Sequence, residues 1–184
     1  MLLGAALIII EAIGNLAKAM KLVLCTYDRH ALSILAIFNE AIENSTAIYD
    51  YEARSLESIA EWFAVKEQNH LPVIGLEAEG GELLGFASYG SFRAWPAYLY
   101  TVEHSIYVHQ NHRGRGLGSR LLHELIAFAQ EQSVHVLVGG IDASNQASIG
   151  LHVKFGFTHA GTIQQVGFKF GRWLDLAFYQ LIIK

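Results

Sequence analysis

The sequence predicts one mixed α/β domain, a central sheet of about seven strands flanked by about four helices. Three observations lead there. Short apolar runs of period two alternate along the chain with stretches of period 3.6. Turn and cap residues such as Gly80-Gly81, Asn145 and Gly156 stand at the joints. A glycine-rich segment, 113–118, lies between a strand and an amphipathic helix, and no repeat or linker divides the 184 residues, a length that supports one core.

Taken in order, Leu22 to Tyr27 reads as a strand, and Asp28 caps a helix to Ile42 with Leu32, Leu35, Ile37 and Phe38 on its apolar side. The polar loop 43–46 runs into Ala47 to Tyr51. Ser55 then opens a helix to Gln68 that carries Leu56, Ile59, Trp62 and Phe63. Pro72 to Ala78 and Leu83 to Phe92 form strands joined at Gly80-Gly81. After the aromatic connection 94–98 come the strand Tyr100 to Val108 and the helix Leu117 to Gln132. Val134 to Ile141 is a strand and Asn145 to Phe155 a helix, ended by Gly156 in a left-handed conformation. Phe157 to Gly167 and Leu174 to Ile182 close the sheet.

Residues 1–20 stand apart from the domain 21–184. Leu2 to Ile10 is apolar, but Glu11 interrupts the run short of a membrane span, and no basic stretch precedes it as in a secretory signal. Both an appended helix and non-native sequence ahead of a start at Met20 fit this pattern. Hydrophobic residues make up 52% of the chain and charged residues 16%, which excludes a disordered chain. The net charge of -4 offers no basic footprint for nucleic acid. The single cysteine, Cys25, sits in an apolar run as a small core residue and points to a reducing, cytoplasmic setting. The nine histidines show no His-Glu-x-x-His spacing, so no metal site is expected, and His109 and His112 are read as solvated.

The richest segment is Gln110-Asn111-His112-Arg113-Gly114-Arg115-Gly116-Leu117-Gly118. Three glycines in five positions let backbone N–H groups converge, and the helix behind them adds free donors and a positive dipole end. Two arginines favour negative charge further, so the segment suits a phosphate or pyrophosphate. It is no Walker loop, because Ser119 and Arg120 follow Gly118 where Lys-Ser/Thr is required. Nor does Gly-x-Gly-x-Gly in mid-chain match a dinucleotide fingerprint.

The pattern Arg113-x-x-Gly116-x-Gly118 resembles the acetyl-CoA pyrophosphate loop of the GNAT acetyltransferase superfamily. Four further blocks resemble its phosphinothricin and methionine-sulfone N-acetyltransferase branch. They are Thr101 to Val108, Asn44 to Glu52, Ala147 to Phe157 and Val166 to Asp175, together spread over Leu22 to Gln180. The resemblance implies a single-domain GNAT fold and a direct acetyl transfer from acetyl-CoA to the amine of a small amino acid analogue. Methionine sulfone, methionine sulfoximine and phosphinothricin are the acceptors in view.

Such a transfer needs a neutral amine, an oxyanion donor and a proton for the leaving thiolate. Glu103, on the strand before the glycine loop, is the candidate base; a solvated or arginine-paired carboxylate is the other reading. The resemblance implies the same base, acting through water. It also places His152 where many relatives carry an acidic tyrosine, so His152 is either a proton donor or a hydrogen-bonded helix histidine that shapes the pocket. By resemblance, acetyl-CoA is held by Ile106, Tyr107, Val108, Arg113, Gly114, Arg115, Gly116, Leu117, Gly118 and Ser119, with Asn145 and Ser148 beyond, and the Val108 N–H faces the oxyanion. Asn145 also serves as an ordinary N-cap.

For the acceptor, Arg93 offers a bidentate partner to a carboxylate or phosphinate, with Phe92, Trp95 and Tyr98 as walls. Some relatives have a second basic residue where this chain has Trp95, which favours smaller methionine-like acceptors over phosphinothricin. Asn44 and Thr46 are read as polar contacts or as loop caps. Phe168, Phe170, Trp173 and Phe178 make the last hairpin aromatic, fitting either a homodimer interface or an internal core. Two other functions fit the motifs: acetylation of a protein N-terminus or lysine, and a non-catalytic CoA-binding module.

Overall fold

The computed structural model describes residues 20–184; the N-terminal reading for residues 1–19 lies outside them. Seven strands form one sheet: β1 (Met20–Leu24), β2 (Val73–Ala78), β3 (Leu83–Ser91), β4 (Thr101–Val108), β5 (Val136–Asp142), β6 (Thr158–Lys169) and β7 (Arg172–Ile182). Four helices flank it: α1 (Tyr27–Asn44), α2 (Leu56–Gln68), α3 (Leu117–Glu131) and α4 (Gln146–Lys154). The strand order is β1-β2-β3-β4-β5-β7-β6. All neighbours are antiparallel except β4 and β5, which pair in parallel over only Thr101↔Val136 to Glu103↔Val138. Past Glu103 the two central strands part, and the gap between them is where the site forms.

Each sheet face has its own core. Ile34, Ile37, Phe38, Ile59 and Phe63 of α1 and α2 pack with Phe86 on one face. Leu117, Leu121, Leu122 and Leu125 of α3 pack with Ile74, Leu76, Tyr89 and Leu137 on the other. Alternation along β4 follows from the strand's period of two. Val102 is buried in the α3 core, whereas Tyr107 packs against the α1–α2 core. Glu103 shares the parity of Tyr107, and His104 that of Val102.

Several boundaries differ from expectation. Asp28 does not cap α1: the helix starts at Tyr27 behind Thr26, and Asp28 supports the first turn as an acidic residue at the positive dipole end. Leu32 is 70% exposed, and the buried side of α1 is carried by Ile34, Ile37, Phe38, Ala41 and Ile42. Leu56 of α2 is likewise exposed. The last hairpin is tighter than the sequence suggests. Phe170 (φ 50) and Gly171 (φ 73) both adopt left-handed backbone, so a two-residue turn joins β6 to β7, and Phe168 pairs with Trp173 and Lys169 with Arg172 in the ladder. Ser55 and Asn145 do cap α2 and α4, accepting from the Ser58 and Ser148 N–H groups, and Gly156 (φ 85) ends α4 as anticipated. Cys25 is buried.

Candidate active site

A cleft of about 580 Å³ opens between the parted ends of β4 and β5. It is lined by Arg113, Gly114, Gly116, Leu117, Gly118 and Ser119 of the glycine loop and the start of α3, by Glu103, Ile106, Tyr107 and Val108 of β4, by Asp142, Asn145 and Ser148 at and after the end of β5, and by Thr46 and Tyr49 of the loop after α1. Gly114 (φ 77) and Gly116 (φ 79) take the left-handed backbone that glycine tolerates, and an added Cβ at either would meet nothing. Gly116 starts α3 with no side-chain cap, leaving first-turn N–H groups for a ligand. This cradle fits a pyrophosphate. Arg113 lines it while pairing with Glu40 of α1 and donating to the Val108 carbonyl at 3.2 Å. Arg115 does not join it; its guanidinium turns to His112 and the Asn111 carbonyl instead. His112, read as solvated, bonds Glu82 at 2.9 Å.

Two adjacent glycines in β5 make room for chemistry on opposite faces. A Cβ at Gly140 would stand 2.9 Å from Glu103 Oε1. A Cβ at Gly139 would stand 3.0 Å from His104 Cε1 and 3.2 Å from His152 Nε2. Glycine inside a strand marks such close approach, and this Gly-Gly pair is the signal that sequence reading passed over. Burial raises the pKa of Glu103 above the ordinary carboxylate range, and the Arg93 guanidinium partly opposes the shift.

His104 and His152 are buried and joined Nε2 to Nε2 at 2.9 Å. His152 Nδ1 lies 2.7 Å from the Ser148 carbonyl, which can only accept, so Nδ1 carries the hydrogen. Neutral His152 therefore accepts at Nε2 from His104. Burial, reinforced by His152, pushes His104 down to about 3, and burial also lowers His152. Both rings are neutral near pH 7, and neither nitrogen of His152 is free. His104 was not anticipated as part of the site.

The predicted acceptor residues are only partly assembled. Thr46 lines the cleft, but Asn44 is exposed away from it. Arg93 stacks over Phe92 at 4.2 Å and donates to its carbonyl, and Phe92 meets Tyr98 edge to face at 5.7 Å. Trp95 is 73% exposed and walls nothing, because the single 3₁₀ turn Pro96–Tyr98 carries the loop outward. Among the described residues no cluster of His, Cys, Asp or Glu could hold a metal ion, and no helix is long and apolar enough to cross a membrane.

A family model described as "Acetyltransferase (GNAT) family" matches residues 34–157. The chain belongs to the GNAT acetyltransferase family. It is 47% identical over 148 residues to an L-methionine sulfoximine/L-methionine sulfone acetyltransferase of Pseudomonas paraeruginosa, covering 80% of this chain and 86% of the relative. Among solved structures, a ribosomal-protein-alanine N-acetyltransferase of Brucella melitensis superposes with TM-score 0.86 at 44% identity, over 89% of this chain and 99% of that one. A phosphinothricin acetyltransferase of Sinorhizobium meliloti in complex with AcCoA does so with TM-score 0.86 at 32% identity, over 90% and 89%. The GNAT assignment makes this protein an acyltransferase.

Proposed function

We propose that this GNAT enzyme transfers acetyl from acetyl-CoA to the amine of a small amino acid analogue of the methionine sulfoximine and sulfone type, with Glu103 as general base. The observation that carries the reading is the continuity of one cleft from the glycine cradle to a half-buried carboxylate. Acetyl-CoA as co-substrate supplies the acetyl thioester. The N–H groups of 114–119 hold its pyrophosphate, and Asn145 and Ser148 flank its arm. An α-ammonium of pKa about 8 is mostly protonated at neutral pH, so a base must act. Glu103, desolvated and raised, takes that proton and can pass one on to the leaving sulfur. Arg93, whose charge reaches Glu103, faces the acceptor's carboxylate. His152 takes the second of its two sequence readings: with both nitrogens bonded it is a positioning residue that walls the cleft.

A second acceptor class is favoured by one feature. Beside Arg93, Trp95 and Leu99 are each 73% exposed, so the loop leaves an open mouth that would admit a protein N-terminus. Release of free thiol from acetyl-CoA, followed with methionine sulfoximine, methionine sulfone, phosphinothricin and an N-terminal peptide, tests both. Turnover of the free amino acids above the peptide is expected; turnover of the peptide alone would move the acceptor class, and none at all would remove the activity.

The exposed ring set Phe168, Phe170 and Trp173 on the β6–β7 hairpin supports a homodimer through that hairpin, whereas Phe178 turns inward toward Gly140. Sedimentation should give a dimer at micromolar concentration and a monomer for Trp173→Glu. A monomeric parent chain would reject the pairing.

A further inference from the structure

Three buried polar atoms on residues of the cleft wall have no hydrogen-bond partner among the described residues: the Tyr49 hydroxyl, Oδ2 of Asp142 and Nδ1 of His104. Buried polar groups are nearly always paired; His104 belongs to the histidine pair at Gly139, and the other two orphans, on residues that line the same cavity, point to a ligand. Both are held in place by other contacts. Asp142 Oδ1 accepts the N–H and the hydroxyl of Ser144, each at 2.8 Å. The Arg172 guanidinium lies 3.5 Å from Oδ2, an ion pair longer than a good hydrogen bond, with Arg172 itself half exposed. The Tyr49 ring rests on Gly167, where a Cβ would stand 2.7 Å from the ring. Its chain segment is pinned by the Lys169 ammonium, which donates to the carbonyls of Ile42, Ser45 and Ile48.

Position relates this pair to Glu103. Val138, Gly140 and Asp142 share one face of β5, and the Glu103 carboxylate lies against Gly140. Asp142 is two residues on, about 7 Å along the strand. The bonds from an α-nitrogen through Cα, Cβ and Cγ to a terminal sulfur or phosphorus span about 5–6 Å. An acceptor whose amine meets Glu103 can thus bring its head group to Tyr49 and Asp142.

Resting on the acceptor class proposed above, we infer that Tyr49 and Asp142 form a head-group subsite: the Tyr49 hydroxyl donates to an oxo oxygen and Asp142 Oδ2 accepts from an adjacent N–H, selecting a sulfoximine over a sulfone and disfavouring an anionic phosphinate. The protonation states agree. Burial opposes ionisation of Asp142, but the Thr46 hydroxyl beside it, the Ser144 donors and Arg172 hold its pKa below the usual value. Burial and then the Asp142 charge raise that of Tyr49, so the phenol keeps its proton. A sulfoximine presents one oxygen and one N–H. A sulfone presents a second oxygen that faces the carboxylate without a hydrogen, and a phosphinate adds a charge of the same sign.

The test compares kcat/KM of the full chain for methionine sulfoximine, methionine sulfone and phosphinothricin in the parent, Asp142→Asn and Tyr49→Phe. In Asp142→Asn the sulfoximine-to-sulfone ratio should fall about tenfold and phosphinothricin should gain relative to sulfone. Tyr49→Phe should lower all three together by about tenfold, with the ratios kept. Ratios taken on one preparation do not depend on the folded fraction. A sulfoximine-to-sulfone ratio that stays the same in Asp142→Asn, with the parent turning over both, would overturn the subsite alone. Failure of the parent to acetylate any of the three would overturn the activity and the subsite with it.

Discussion

Glu103→Gln should lower kcat by about 10²–10⁴-fold while acetyl-CoA affinity stays within about twofold. The amide keeps the size of the side chain against Gly140 but cannot take a proton, and the glycine cradle belongs to the loop after β4, more than ten residues on from Glu103. Thiol release and calorimetric titration with acetyl-CoA measure the two quantities. An unchanged kcat would take the base role from Glu103. Stability should move the other way. A carboxyl whose folded pKa is raised contributes stability that is fully present below its unfolded pKa and lost as pH rises through the folded value. At neutral pH the ionised Glu103 is therefore a burden on the fold, and the glutamine variant should melt no lower than the parent. The pH profile follows from the same groups. The acid limb of kcat should lie above the ordinary carboxylate range, and Arg93→Ala, which removes the cation that opposes the shift, should move it higher still.

Lys169→Met should lower the melting temperature by about 6–20 °C. Lys169 is 3% exposed and its Nζ donates to three backbone carbonyls, those of Ile42 at 2.6 Å, Ser45 at 3.0 Å and Ile48 at 2.6 Å. Methionine fills much the same volume but leaves those three acceptors unmet, a loss of about 3–5 kcal/mol for a buried charged donor. The clamp also carries Thr46, Ala47 and Tyr49 against the cleft. KM for the acceptor should therefore rise more than the Kd for acetyl-CoA. A melting temperature within about 2 °C of the parent would show that the segment is held by other contacts, such as the Tyr51 hydroxyl on the Phe168 carbonyl at 2.6 Å.

What could be read in the chain was local. The glycines at 114, 116 and 118 imply a phosphate cradle wherever they fold, because their backbone freedom and the helix start behind them are properties of consecutive residues. The alternation that set Glu103 opposite in face to His104 is equally local. The loop around Arg93 shows the limit of such reasoning. Its aromatic residues suggest a closed pocket, yet they lie outside the cleft, with Trp95 in solvent.

The glycine loop at a helix start, the strand–helix order and the position of the carboxylate on the strand before that loop were thus written in neighbouring residues, whose backbone preferences need no distant partner. The rest came from contacts between segments far apart. His104 meets His152 across 48 residues, and Lys169 reaches Ile42 across 127. Tyr49, in the loop after α1, and Asp142, at the end of β5, come to line one cleft although 93 residues apart in sequence. Only packing the layers together determines which distant polar atoms become buried and which of those stay without a partner.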